Sequence, residues 1–187
     1  MTRIPGHTIA DAPEASRPLL EGVVQFSPTG KPLNLHAQMA HSPAVLTAYT
    51  GIRQATAAHA TLPPQVRSAL MLATAGVSHN AYAEAITAQL ASQAGWSPAQ
   101  VSCLRDGQNV GDEKVDSLVR VVREAAAGDG QVSDPTWQQA TASGWTSEEL
   151  AEAFAYLGLT IFTAYFLNYA QTPLDLPVGV PATAQRA

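Results

Sequence analysis

Apolar residues recur along this chain at three- and four-residue intervals, the spacing that lines one side of a helix. The hairpin signature of Asn-Gly or Asp-Gly between alternating apolar residues is missing, so strands are not expected. Leu19, Leu20, Val23 and Val24 share one side of a helix over 17–26, which the Ser27-Pro28-Thr29-Gly30-Lys31-Pro32 stretch breaks. A short helix over 33–40 follows. Ser42 as N-cap and Pro43 at the first helical position open the next, with Val45, Leu46, Tyr49 and Ile52 spaced near 3.6. Pro63-Pro64 starts a helix that runs through Val66, Leu70 and Leu72 to Gly76. An alanine-rich helix over 79–94 stops at Gly95.

The second half is better punctuated. Ser97-Pro98-Ala99-Gln100 and Thr146-Ser147-Glu148-Glu149 both read as capping boxes. Between them, Val115, Leu118, Val119, Val122 and Ala126 form one stripe of a helix over 112–127, and Asp134-Pro135 begins a short helix ending at Ser143-Gly144. The last, long helix carries Leu150, Phe154, Leu157, Ile161 and Tyr165 on the side read as its packing face. Gly95-Trp96-Ser97 and Gly144-Trp145-Thr146 are alike: a glycine stop, an aromatic staple, then a cap. The whole reads as an all-α domain of about eight helices over 16–177, with a flexible N-terminus over 1–15 and a flexible tail over 178–187.

Composition narrows the partners. The chain has 187 residues, enough for one domain with an ordinary core. Charged residues make up 13%, about half the usual share, so much of the surface is small and neutral or is buried between subunits. A net charge of -5 gives no electrostatic invitation to nucleic acid. The sequence reading finds no signal peptide and no run of about 20 apolar residues, which leaves the cytoplasm as the expected compartment and no membrane partner. The single Cys103 rules out an intrachain disulfide, a redox dithiol and a thiolate metal cage. His36 and His41 are five apart across a helix boundary, with no acidic or cysteine ligand at ligand spacing, so no metal or other cofactor is expected; His7 and His59 give no signal.

Three blocks of sequence carry a family resemblance. They are Pro32-Leu33-Asn34-Leu35-His36 with Ala40-His41-Ser42-Pro43-Ala44-Val45-Leu46, the stretch from Leu62 to Gly95, and the segment from Thr160 to Asp175. Their order and spacing resemble the alkylhydroperoxidase D-like (AhpD-like), carboxymuconolactone decarboxylase superfamily, in its peroxidase-related branch, over about residues 16 to 177. The resemblance implies an all-helical, oligomer-forming domain. In the redox members the second central helix carries Cys-x-x-Cys-x-x-x-His, with a glutamate on the preceding helix. Counted back from Gly95, the cysteine positions fall on Asn80 and Ala83, the histidine on Thr87 and the glutamate on Ser68.

That substitution pattern decides the chemistry. Peroxide reduction needs a thiolate to attack oxygen and a second thiol to resolve the sulfenic acid. An amide and a methyl group do neither, and the hydroxyls of Thr87 and Ser68 do not titrate near neutral pH. The superfamily also holds decarboxylases that work without the dithiol by proton transfer. Their candidates here are His79, Tyr82 and Glu84, with Arg67 to hold a carboxylate. The plainer alternatives are an exposed, inert His79, a packed Tyr82 ring, and a solvated or Arg67-paired Glu84. Asn168, Tyr169 and Gln171 form a polar cluster at the end of the last helix, which the resemblance places near a pocket or interface. Tyr156, Tyr165 and Tyr169 would line a pocket or pack in the core. Three functions remain open: a divergent protein acting on or binding a small organic acid or lactone at a pocket near Ser68, Asn80, Ala83 and Thr87 without thiol redox chemistry; a non-catalytic helical protein binding a ligand or partner; and an alkylhydroperoxidase-type oxidoreductase by inheritance.

Overall fold

One helix is packed against four others, and its sequence is built for that. The computed structural model describes residues 2–25, 27 and 30–176. After a 3-10 turn at Glu14–Ser16 come α1 (Arg17–Val24), α2 (Asn34–Met39), α3 (Pro43–His59), α4 (Pro64–Ser78), α5 (Ala81–Gln93), α6 (Pro98–Asp106), α7 (Glu113–Ala127), α8 (Asp134–Ala142) and α9 (Ser147–Ala170). There are nine α-helices and no strand among the described residues. Helix α4 touches α5, α6, α7 and α9. Ala69, Ala73, Ala75 and Gly76 keep it thin enough to do so, while Val66, Leu70 and Leu72 fill the gaps between its neighbours. A Cβ on Gly76 would lie 2.1 Å from the carbonyl oxygen of Arg105. Arg123 on α7 donates to the carbonyls of Ala73 at 3.0 Å and Arg105 at 3.1 Å, tying α6 to α4 at that crossing.

Two apolar clusters result. One joins α4 to α7, the ends of α5 and the first half of α9, and holds both Trp96 and Trp145. The other joins α2, α3, the start of α5 and the second half of α9. The two Gly-Trp units are used alike. Gly95 and Gly144 take φ of 98° and 88°. Trp96 and Trp145 bury their rings and donate their indole N–H to Gln65 O at 2.9 Å and Lys114 O at 2.8 Å. Both capping boxes that follow are formed, and Ser42 caps α3.

Four sequence expectations are corrected. Helix α5 starts at Ala81, not at 79: His79 is the left-handed C-cap of α4 and Asn80 is the N-cap of α5. The face of α9 chosen by spacing is not its core face, because Phe154 and Tyr165 are 66% and 60% exposed. Leu150 and Leu157 of that set are buried, but the rest of the core face is Ala153, Tyr156, Thr160, Ala164 and Leu167. A helix apolar all round gives periodicity nothing to read. For the same reason α9 is long and apolar enough, at 24 residues, to pass as a membrane span by length and composition, against the reading that no such run exists. Here it packs through the bundle against α3, α4, α5 and α7. Lastly, residues 2–15 lack helical periodicity yet lie fastened across the bundle. Arg3 N–H donates to Ala170 O, His7 N–H to Ala37 O, and Ala12 is buried in the second cluster. Phe26 and the tail from Pro177 lie outside the described residues.

Replacing Gly76 by alanine forces a methyl group against a backbone carbonyl that Arg123 holds in place. The expected cost is about 1–3 kcal/mol or more, as for overpacking in a core. Urea unfolding of Gly76→Ala checks it; a midpoint unchanged from the parent would show that the α4–α6 crossing is not tight.

Candidate functional site

The connection between α4 and α5 is two residues long, and both are committed. His79 turns the chain with φ 51°, and its side chain is exposed. Asn80 accepts from Ala83 N–H at 2.8 Å, which caps α5. That bond fixes the orientation of the amide: Oδ1 faces Ala83, so Nδ2 is the outward donor. Nδ2 donates to Asn168 Oδ1 on α9 at 2.5 Å, and the side chain of Asn168 therefore offers its own NH2 to solvent. Around this pair lies an open cleft of about 660 Å3, lined by Thr2, Asn80, Leu167, Asn168, Gln171, Thr172 and Pro173. Among the described residues no charged side chain lines it.

The segment before α1 and the one after α9 both reach the cleft, and one buried residue clasps them. Gln38 on α2 donates to Thr2 Oγ1 at 2.6 Å and to Ile4 O at 2.8 Å. Its Oε1 accepts from Thr172 at 2.5 Å. Of the polar trio read from the sequence, Asn168 and Gln171 line the cleft, while Tyr169 turns to the outer face of α9. Thr2, Gln38 and Thr172 were not legible in the sequence. Each acts through a contact more than 30 residues away, and although Thr172 falls in the Thr160–Asp175 block, nothing local marks its role.

The four positions matched to the redox motif do not line one cavity. Asn80 opens on the cleft, whereas Ser68, Ala83 and Thr87 are closed in. Ser68 donates to Gln65 O at 2.8 Å and Thr87 to Ala83 O at 2.7 Å, so both hydroxyls are spent on their own helices. The indole bond from Trp96 to Gln65 sets α4 and α5 antiparallel. Ser68 is then level with the last turns of α5, about 16 Å along the axis from Asn80 at 1.5 Å per residue.

The proton-transfer candidates are also separated. Tyr82 and Glu84 are two residues apart on α5, about 200° around the helix. Tyr82 is buried and donates to Asp175 Oδ1 at 2.5 Å. Burial, with the hydrogen bond to Asp175 and its charge, pushes its phenol far above the ordinary range. Glu84 lies near enough to the guanidinium of Arg105 for its charge to be felt there. Arg67 interacts with the Tyr156 phenol on α9, a group that burial pushes up and Arg67 pulls back.

A polar string inside the second cluster was not foreseen. Asp175 accepts from Tyr82 and, through Oδ2, from Asn34 N–H at 2.8 Å. It caps α2 from 141 residues away, because the N-cap residue Leu33 has no side-chain acceptor. Nearby, the buried His36 Nε2 pairs with Tyr49 OH at 3.3 Å, and Arg53 donates to the same phenol at 3.2 Å. With its oxygen accepting from Arg53, Tyr49 donates to a neutral His36. Burial, helped by the Arg53 charge, pushes that imidazole down to about 4.

Comparison with known proteins bears on the fold. No protein-family model matches the chain, and no curated protein matches it in sequence. Solved structures do. One is the AhpD-core crystal structure of an uncharacterized peroxidase-related protein from Ralstonia eutropha JMP134, with a TM-score of 0.81, 14% identity, and coverage of 93% of this chain and 92% of that one. Another is a Cys-to-Ala variant of the debrominase Bmp8 in complex with 2,3,4-tribromopyrrole, with a TM-score of 0.79, 14% identity, and coverage of 94% and 92%. A third is an uncharacterized peroxidase-related protein from Silicibacter sp. TM1040, with a TM-score of 0.74, 13% identity, and coverage of 94% and 95%. At such identities the likeness establishes the fold, which is the AhpD-like one.

His36 gives this region a pH signature. Between about 6.5, the ordinary histidine value, and about 4, the unfolded chain binds a proton that the folded chain refuses. The stabilisation is complete above that window and is lost as pH falls through it, by about 3 kcal/mol at 1.36 per unit. Denaturant titrations at pH 7 and pH 4.5 check this. The acid loss shrinks in His36→Gln; an identical loss in that variant would place its origin elsewhere.

Proposed function

We propose that this chain, whose fold is that of the AhpD-like superfamily, binds a small organic acid or lactone in the cleft at the start of α5 and handles it without thiol redox chemistry. The observation that carries this reading is the double engagement of Asn80. The residue at the first sulfur position is a helix cap bonded to Ala83 N–H and clamped to Asn168, and it lies at the cleft surface. The residue at the second, Ala83, is a core methyl group with 1% exposure. The single Cys103 sits on α6, with Gln108 as its polar neighbour at 3.7 Å.

The cleft presents donors. The NH2 of Asn168 and the second N–H of Asn80 are open to an incoming acceptor, and the positive end of α5 lies behind them. A carboxylate or a lactone carbonyl is such an acceptor. With no lysine or arginine lining the cleft, the acid is held by neutral donors, which favours modest affinity and sensitivity to shape. The scatter of His79, Tyr82 and Glu84 places binding ahead of turnover, because general acid–base work needs its groups within reach of one substrate.

The proposal includes self-association. The outer face of α9 exposes Phe154, Tyr165 and Tyr169 at 66%, 60% and 69%, and Tyr165 and Tyr169, with Val45, Gly158, Ile161, Phe162 and Phe166, line a hollow that is almost wholly apolar. No charged residue interrupts the chain from Ala153 to Thr172. Patches of this kind rarely stay bare.

Two measurements test the proposal. In a thermal-shift panel of aromatic and lactone carboxylic acids, at least one raises the melting temperature, and Asn168→Leu abolishes the shift; silence across the panel removes the ligand reading. In a peroxide-consumption assay the protein and its Cys103→Ser variant give the same background, and a thiol-dependent turnover lost in the variant restores the oxidoreductase reading. Separately, sedimentation velocity reports a species larger than the 19.6 kDa monomer. Tyr165→Lys, which puts a charge in the apolar face, shifts it toward monomer, and a parent that sediments as a monomer at all concentrations ends that part of the proposal.

A further inference from the structure

Helix α9 ends in a backbone conformation that its last side chain does not suit. Gln171 is the C-cap of that helix, with φ 51° and ψ 55°, in the left-handed region. Among the described residues two other non-glycines have positive φ, His79 and Asp129. Histidine and aspartate are types that enter this region several-fold more often than most, and glutamine is not. Glycine or asparagine is the common residue at a helix end of this shape. The backbone therefore gives no reason for a glutamine here.

What glutamine adds is a side chain on the cleft, which it lines beside Asn168 and Thr172. Its backbone N–H closes the helix, donating to Asn168 O at 3.3 Å, but its side-chain amide bonds to no other described residue. The other polar groups of the lining are already committed. Thr2 donates to Ile4 O and accepts from Gln38, and Thr172 donates to Gln38. Asn80 accepts from Ala83 N–H and donates to Asn168, whose Oδ1 is thereby taken and whose NH2 is left to donate. Among the described lining side chains, Gln171 keeps both a donor and an acceptor open to a ligand. Leu167 and Pro173 supply the apolar part of the lining. Asn168 and Gln171 are three residues apart, about 4.5 Å along the helix axis, a span that one small ring bridges.

Resting on the acid-binding reading of the cleft, we infer that Gln171 is its specificity-determining residue: the free amide selects acids that carry a second oxygen function, a hydroxyl or a lactone carbonyl, over plain hydrocarbon acids. The carboxylate meets the NH2 of Asn168, the hydrocarbon lies on Leu167 and Pro173, and the second oxygen meets Gln171. A lactone carbonyl accepts from Gln171 Nε2, and a hydroxyl donates to its Oε1. A strained backbone position kept for the side chain it presents is a common mark of a binding residue.

Titration calorimetry on the full chain with two acids of one ring size tests this. One is a five-membered lactone bearing a carboxylate, and the other is cyclopentanecarboxylate, which lacks the ring oxygens. The quantity read is the ratio of the two affinities. It is expected to favour the lactone acid in the parent and to fall about fivefold in Gln171→Met, the effect of one neutral hydrogen bond. That variant keeps the length of the side chain and the strain. Gln171→Gly removes the strain as well and is expected to show the same fall while melting no lower than the parent. A clear drop in its melting temperature would make the side chain a structural part of the helix end and overturn the inference. Asp129→Gly, which relieves a positive φ in the connection between α7 and α8, leaves the ratio as it is. An unchanged ratio in both Gln171 variants sinks the inference while acid binding, lost in Asn168→Leu, still stands. No heat from either acid with the parent removes the acid-binding reading and this inference together.

Discussion

The amide of Asn80 is the interaction on which both fold and site depend. Its Oδ1 ends the turn out of α4 by satisfying Ala83 N–H, and its Nδ2 draws the last turn of α9 against the start of α5. A single side chain is thus both a helix cap and a bridge between two elements 88 residues apart in sequence. A thiol at this position would do neither well, since sulfur is a weak donor and a weak acceptor. The amide therefore does structural work here that a thiol would not. The N-terminal end of α5 is sealed by its own neighbour.

The rest of the inner surface is sealed in the same manner. Thr50, Ser68, Thr74, Thr87 and Thr160 are buried, and each hydroxyl donates to a carbonyl of its own helix three or four residues back. Such groups add packing without a polar demand on their surroundings. Each of these hydroxyls spends its own hydrogen within its helix. Gln38, Asn80, Asn168, Thr172 and Asp175 reach across elements and gather where the segments before α1 and after α9 meet.

What the sequence shows and hides follows from range. Caps and stops are local, and they are placed well: Ser42, Ser97, Thr146, Gly95 and Gly144 do what their types imply. The helical order, and the resemblance that named the fold, rest on such punctuation. The start of α5 was misplaced by two residues because His79 is one of the few non-glycine residues with positive φ, a cost that no local pattern announces. The buried side of α9 was misread because a helix with few polar positions carries no phase. In the site, Asn80, Asn168 and Gln171 were visible as polar residues near a helix end. Their convergence, the clasp by Gln38 and the remote cap from Asp175 were not, because each links segments that meet only after the bundle has formed.

This arrangement has a consequence for how the fold accommodates new function. The α4–α9 frame is rigid for a steric reason: Gly76 and Arg105 leave no space between helices, and alanines set the spacing elsewhere. Change is easier at the periphery. There the short segments before α1 and after α9 are held by side-chain hydrogen bonds rather than by apolar packing alone. Each such bond is worth about 1 kcal/mol net, so a few substitutions can re-form the wall of a cleft without disturbing the core. The segments before α1 and after α9 are thus the part of this scaffold where a binding surface changes most easily.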